Sequence, residues 1–126
     1  MDVMPKLRAV IGEGLDLETP VEPCGFRVVL DKEGIRLYIG DMTPRNNLYI
    51  PGDRLNKLVQ YLKGKGAVRM DVIRKNEANP GTFEDYARAS NISSAYSNYV
   101  AAVLSRGGFV KIVKEQGKAA TVELIG

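Results

Sequence analysis

The sequence predicts an α+β protein, with an antiparallel β-hairpin or meander first and a helical, basic part after it. Three observations predict this. Apolar residues recur at every second position from Phe26 to Leu30 and again from Ile35 to Ile39. They recur at i, i+3, i+4 and i+7 in "RLNKLVQYL". The stretch "TFEDYARASNISSAYSNYVAAVLSRGGFV", 82–110, then holds two helical patterns joined by "SNIS".

Residues 1–24 read as an arm or flexible tail. Leu7, Val10 and Ile11 have helical spacing, but Gly12 and Gly14 cut it short. "ETPVEPCG" follows with two prolines that resist helix. Residues 25–50 read as a β-meander. Phe26, Val28 and Leu30 share one face of a strand, and Ile35, Leu37 and Ile39 share one face of the next. Asp31 to Gly34 supplies the turn between them, "TPRNN" a second turn, and Leu48 to Ile50 a short third strand.

From residue 53 the pattern becomes mainly helical. Leu55, Leu58, Val59 and Leu62 form the apolar stripe of an amphipathic helix that Gly64 and Gly66 end. "VRMDVIR" alternates as a strand, and "KNEANPG" is a loop. Thr82 and Asp85 match a capping box for a helix that turns Phe83 and Tyr86 inward. Asn91 tolerates the left-handed turn, Ile92 plugs it, and Ser93 is a good N-cap for the next helix. That helix, Ser94 to Arg106, places Tyr96, Val100, Val103 and Leu104 on one face. Its other face is small and weakly polar, a surface suited either to a large neighbouring molecule or to packing inside the protein. "FVKIVKEQGKAATVELIG" closes the chain as a hairpin with a basic tip.

Composition narrows the chemistry. With no histidine in 126 residues, Ser-His-Asp and Cys-His catalysis are excluded, and the commonest metal ligand is missing. "GKG" at Gly64 to Gly66 lacks the spacing of a phosphate loop. The sequence therefore predicts no enzyme, no metal and no cofactor. The single Cys24 rules out an internal disulfide and suits a reducing interior. No apolar run is long enough to span a membrane, and the first residues do not read as a signal peptide. A cytoplasmic protein is the expectation. Charge is uneven: residues 1–41 hold five bases and eight acids, and residues 42–126 hold thirteen bases and seven acids. A basic second part is the electrostatic footprint of a polyanion binder.

The helix, strand, helix, turn, helix, hairpin order over residues 53–126 resembles the winged helix-turn-helix family. "EDYARASNIS" is similar to that family's first helix and turn, with Tyr86 in the usual leucine place and Ala87 as the small residue. "LSRGGFV" is similar to the end of its recognition helix. The long loop from Arg74 to Gly81 departs from the pattern. A chain of this kind, without histidine, is also similar to small proteins of hyperthermophilic archaea and their viruses.

The resemblance implies double-stranded DNA as partner, a transcriptional role, and a homodimer as one allowed assembly. It places Ser94 to Arg106 in the major groove and the Lys114–Lys118 tip on the backbone. Asn98 then reads an adenine edge, and Ala95 or Ala102 touches a thymine methyl. Ser93, Ser94 and Tyr99 hold phosphates, and Arg88, Arg106, Lys114 and Lys118 supply charge. Two other readings stand beside it. The strands that lead into "NLYIPGDRLNKLVQYL" resemble single-strand-binding coactivator domains, with Tyr38 and Tyr49 as stacking surfaces. A winged helix can also dock a protein partner with no nucleic-acid role. The deciding feature is whether the outward face of Ser94 to Ser105 is open to solvent: if the N-terminal sheet covers it, the DNA reading falls.

Overall fold

In the computed structural model the described residues are 2–40, 47–70 and 81–125. Of the turn expected at 43–47 only Asn47 is among them, as the first residue of a strand; the strand continuation at 71–74 and, except for Gly81, the loop expected at 75–81 lie outside them.

Residues 2–24, expected as an arm or tail, are a folded part of the core. Helix α1 spans Met4–Ile11, with Pro5 in its first turn, where a missing N–H costs nothing. Gly12, at φ 55°, ends it. Val3, Met4, Leu7 and Ile11 are buried. The Asp2 carboxylate accepts from the Met4 N–H at 3.1 Å and the Asn56 amide at 3.3 Å. These two hydrogen bonds hold it below the usual carboxylate range. The sequence hid this packing because one and a half apolar turns followed by two glycines look too short to be worth burying.

Strand β1 (Leu15–Glu18) then joins β2 (Gly25–Asp31), β3 (Gly34–Ile39) and β4 (Asn47–Pro51) in an antiparallel sheet of order β1-β2-β3-β4. The expected period of two is realised in the register. Val28 faces Leu15 and Leu37, and Phe26 faces Leu17 and Ile39. Ile35 faces Leu30 and Ile50. These residues form the inner face. Asp16, Arg27, Val29, Arg36, Tyr38 and Tyr49 fall on the other.

Helix α2 (Gly52–Leu62) starts directly from β4, and its stripe of Leu55, Leu58, Val59 and Leu62 is buried as expected. A short strand β5 (Val68–Arg69) follows. Helix α3 (Phe83–Ala89) starts at Thr82, whose hydroxyl oxygen accepts from the Asp85 N–H at 3.3 Å. Asp85 in turn accepts from the Gly81 N–H at 3.1 Å, one residue before the Thr82 N–H that a capping box engages, so both side chains brace the start. Asn91 takes the left-handed turn at φ 61°, and Ile92 is buried behind it.

The expected helix from Ser94 to Arg106 divides in two. Ser94–Tyr96 is one 3-10 turn, and α4 runs from Ser97 to Arg106. Ser93 does not cap it with its side chain. Its carbonyl accepts from the Tyr96 N–H at 2.9 Å, while the Ser97 hydroxyl donates to the Ser94 carbonyl at 2.8 Å. Strands β6 (Val110–Val113) and β7 (Thr121–Leu124) form the closing hairpin. With β5 they make a second antiparallel sheet of order β5-β7-β6. The protein is thus α+β: the described residues form four α-helices and two antiparallel sheets, the four-stranded sheet first. One hydrophobic cluster joins residues from both sheets and all four helices, and α4 supplies Val100, Ala101, Val103 and Leu104 to it.

Candidate nucleic-acid interface

The outward face of α4 is the place where the sequence reading is tested. Asn98 is engaged there. Its Nδ2 donates to the Val21 carbonyl at 2.7 Å, and its Oδ1 accepts from the Val21 N–H at 3.3 Å. This side chain therefore holds the chain between β1 and β2 against the helix. The link spans 77 positions of sequence and has no local signature. Asn98 does not stand free to read a base while this pair is made, which corrects the expectation of an open side chain.

Its neighbours are engaged as well. Ala102 is 8% exposed, which leaves too little surface for a methyl contact. It shares a groove with Leu17, Glu18 and Pro20 on one side and Arg106, Ile112 and Lys114 on the other. The Tyr99 ring meets Phe26 edge-on, with centroids 5.1 Å apart, and lies 6.4 Å from Tyr96. Burial pushes the Tyr99 phenol above its ordinary value, and the Cys24 thiol beside it adds to the effect. The small, weakly polar face is thus explained by packing: β1 and the segment after it come close to α4 because Ala101, Ala102 and Ser105 leave room.

The two ends of this surface stay open. Ser93 and Ala95 are exposed, and Ser94 is half-buried. Arg88 on α3 is exposed. Arg106 and Lys114 are exposed at the far end. Lys118 pairs with Glu115 at 3.1 Å, both largely in solvent. Such a pair contributes at most about 1 kcal/mol, so it hardly competes with a phosphate. The expected site residues therefore separate into two groups. Arg88, Ser93, Ser94, Ala95, Arg106, Lys114 and Lys118 are accessible; Asn98, Tyr99 and Ala102 serve the packing.

The outer face of the first sheet offers a second surface. Tyr38 and Tyr49 lie there half-buried, and the Arg36 guanidinium sits 5.3 Å from the Tyr49 ring centre. Both arginines of this face are committed. Arg36 pairs with Asp31 at 2.7 Å and Arg27 with Asp16 at 3.1 Å. Glu18 adds a further carboxylate on that side of the register. The face is unfavourable for a polyanion.

A third surface was missed in the sequence. Arg54 Nη1 donates to the Asn91 carbonyl at 3.1 Å and so ties the start of α2 to the turn before Ser93. Farther along, the rings of Tyr61 and Tyr86 stack at 6.4 Å, and Lys65 Nζ lies 5.9 Å from the Tyr86 centre. The spacing of Arg54, Lys57 and Tyr61 at i, i+3 and i+7 was the available signal.

Comparison of the chain with family models, with curated proteins and with solved structures found no match.

The Asn98 contact leads to a measurable outcome. Asn98→Ala is expected to lower stability by about 1–3 kcal/mol, because it leaves both Val21 backbone groups without their partner. Urea denaturation checks this. A loss below about 0.5 kcal/mol, the size of an ordinary surface change, would show that the pair holds nothing in place.

Proposed function

We propose that the chain binds double-stranded DNA through a winged helix-turn-helix half, residues 53–126, and that it does so chiefly by phosphate contacts. What supports this reading most is the arrangement of that half. Its elements run α2, β5, α3, α4, β6, β7, and the edge strand β5 pairs with β7, not with β6. A helix, turn and helix followed by a hairpin in this order is the element layout of a winged helix, here with the middle of the outward face of α4 covered by β1 and the segment after it, so that its ends and the wing are left for a partner.

Charge supports it too. Residues 47–70 and 81–125 hold ten Lys and Arg against five Asp and Glu, while residues 2–40 hold five against seven. The polyanion belongs on the second part. There Arg88, Ser93 and Ser94 approach the backbone at one end, with exposed Ala95 beside them, and Arg106, Lys114 and Lys118 at the other. With Asn98 tied to Val21, base readout is weak. The binding proposed is therefore tolerant of sequence; a regulator with a defined operator would need the β1–β2 segment to leave α4.

Fluorescence anisotropy with a duplex of about two helical turns tests the reading. Affinity should fall steeply with salt, by a log–log slope of about 0.9 for each phosphate neutralised. Lys114→Gln with Lys118→Gln should weaken binding to all duplexes alike and lower the slope by about 2. A preference for the unpaired strand of the same sequence would favour the sheet face carrying Tyr38 and Tyr49. No binding at about 50 mM salt would leave the protein-docking reading.

A further inference from the structure

We infer that the DNA backbone, once seated on the helix-turn-helix, continues along α2 over a strip made by Arg54, Lys57, Lys65 and the Tyr61–Tyr86 pair. This rests on the reading just given and extends its contact surface beyond the recognition helix and wing.

The strip is continuous with the proposed site. The Arg54–Asn91 hydrogen bond of 3.1 Å places the first cation beside the turn that leads to Ser93 and Ala95. From there α2 carries the surface away. At 100° per residue, Arg54, Lys57 and Tyr61 lie within about 60° of arc, and at 1.5 Å per residue Arg54 and Tyr61 are about 10 Å apart along the axis. Lys65, past the helix end, returns to this side, with its ammonium 5.9 Å from the Tyr86 ring centre. The strip flanks the buried side of α2: Arg54 lies about 40° round the helix from buried Leu58, and Tyr61 and Lys57 lie farther round, so neither lysine fills the core.

Its cations are also available. Arg8, Arg27, Arg36, Lys111 and Lys118 each have a carboxylate partner. Among the described residues, Arg54, Lys57 and Lys65 have none. Of the acids nearest in sequence, Asp85 accepts from the Gly81 N–H and Glu84 is buried; Asp53, four residues before Lys57 and about 40° from it round α2, makes no ion pair among the described residues. Unpaired cations flanking two half-buried phenols match a phosphate backbone, which takes both charge and hydroxyl donors. A protein partner would instead be expected to meet an apolar centre with a polar rim.

The test is the salt dependence of duplex binding by the full chain and two sets of variants. Lys57→Gln with Lys65→Gln leaves the Arg54–Asn91 bond in place and should not alter folding, since both side chains are exposed. It should weaken binding about tenfold or more near 0.1 M salt and lower the log–log slope by about 2. Adding Arg54→Gln should lower the slope by about one more unit. If the Lys57/Lys65 variant binds as tightly and as steeply as the parent while Lys114→Gln with Lys118→Gln weakens binding, the strip is no contact, although the duplex reading stands. If the parent does not bind duplex DNA, both fail. Circular dichroism melting of each variant confirms that a loss is not unfolding.

Discussion

Leu7→Ala is expected to lower stability by about 2–5 kcal/mol, as for other fully buried leucines cut back to the β-carbon. Leu7 is 0% exposed although it lies near the start of the chain, in a segment that reads as a tail. It is buried because α1 reaches from the first sheet to the end of α4. A β-carbon placed on Gly107 would stand 2.9 Å from Leu7 Cδ2, so the two are already in close contact. One position earlier, Lys6 Nζ lies 5.1 Å from the Phe109 ring centre. Helix α1 thus braces the point where α4 turns into β6. Removing Leu7 leaves a cavity there, and the residues around it belong to a well-packed helix and a glycine turn that cannot easily collapse into the space. For a domain of this size the loss should appear as about 3–5 °C of melting temperature per kcal/mol. A shift under about 2 °C would mean that α1 frays from the body and that the arm-or-tail reading was right. The same variant should weaken duplex binding, because Arg106 and the wing depend on this junction for their position.

Gly34→Ala is expected to cost about 3 kcal/mol or more, at the upper end of the range for overpacking. The cause is close approach. A β-carbon on Gly34 would lie 2.2 Å from the Ile50 carbonyl oxygen and 2.9 Å from Pro51 Cα. Both are backbone atoms of β4, directly across the ladder, so no side chain can swing aside. The strain would pass on to α2. Gly52, its first residue, donates to the Glu33 carbonyl at 2.9 Å and has Met4 Cγ within 2.6 Å of where its own β-carbon would be. Here β3, β4, α1 and α2 meet with no room for a methyl group. Gly25→Ala is the control: its β-carbon meets nothing within 4 Å, and a near-neutral result is expected. Equal denaturation midpoints for the two variants would sink the packing argument.

Much of the fold was legible because it depends on local rules. The alternation of Phe26, Val28 and Leu30 against Ile35, Leu37 and Ile39 follows from the two-residue period of a pleated strand. The stripe on α2, the brace of Thr82 and Asp85, and the left-handed Asn91 each involve residues within about two turns of one another. Positions on α4 were legible only on the side that faces the core. Val100, Val103 and Leu104 are buried as their spacing required, while Tyr96, expected on the same face, is only half-buried because it lies in the 3-10 turn before α4. The other side was ambiguous, since small weakly polar residues suit close packing against a neighbour of either kind.

The sequence alone determined that residues 25–39 form a hairpin, that two helices flank a left-handed turn at Asn91, and that the cations gather in the second part. Periodicity, capping and charge are properties of neighbouring residues. Only the tertiary structure decided that α1 and β1 belong to the core and that Val21 closes over Asn98. It also decided that Arg54, Tyr61, Lys65 and Tyr86 share one edge. These contacts join residues as far apart in the chain as Val21 and Asn98 or Lys6 and Phe109, and their energy comes from burial and hydrogen bonds made when distant segments meet. No local pattern in the chain encodes that meeting.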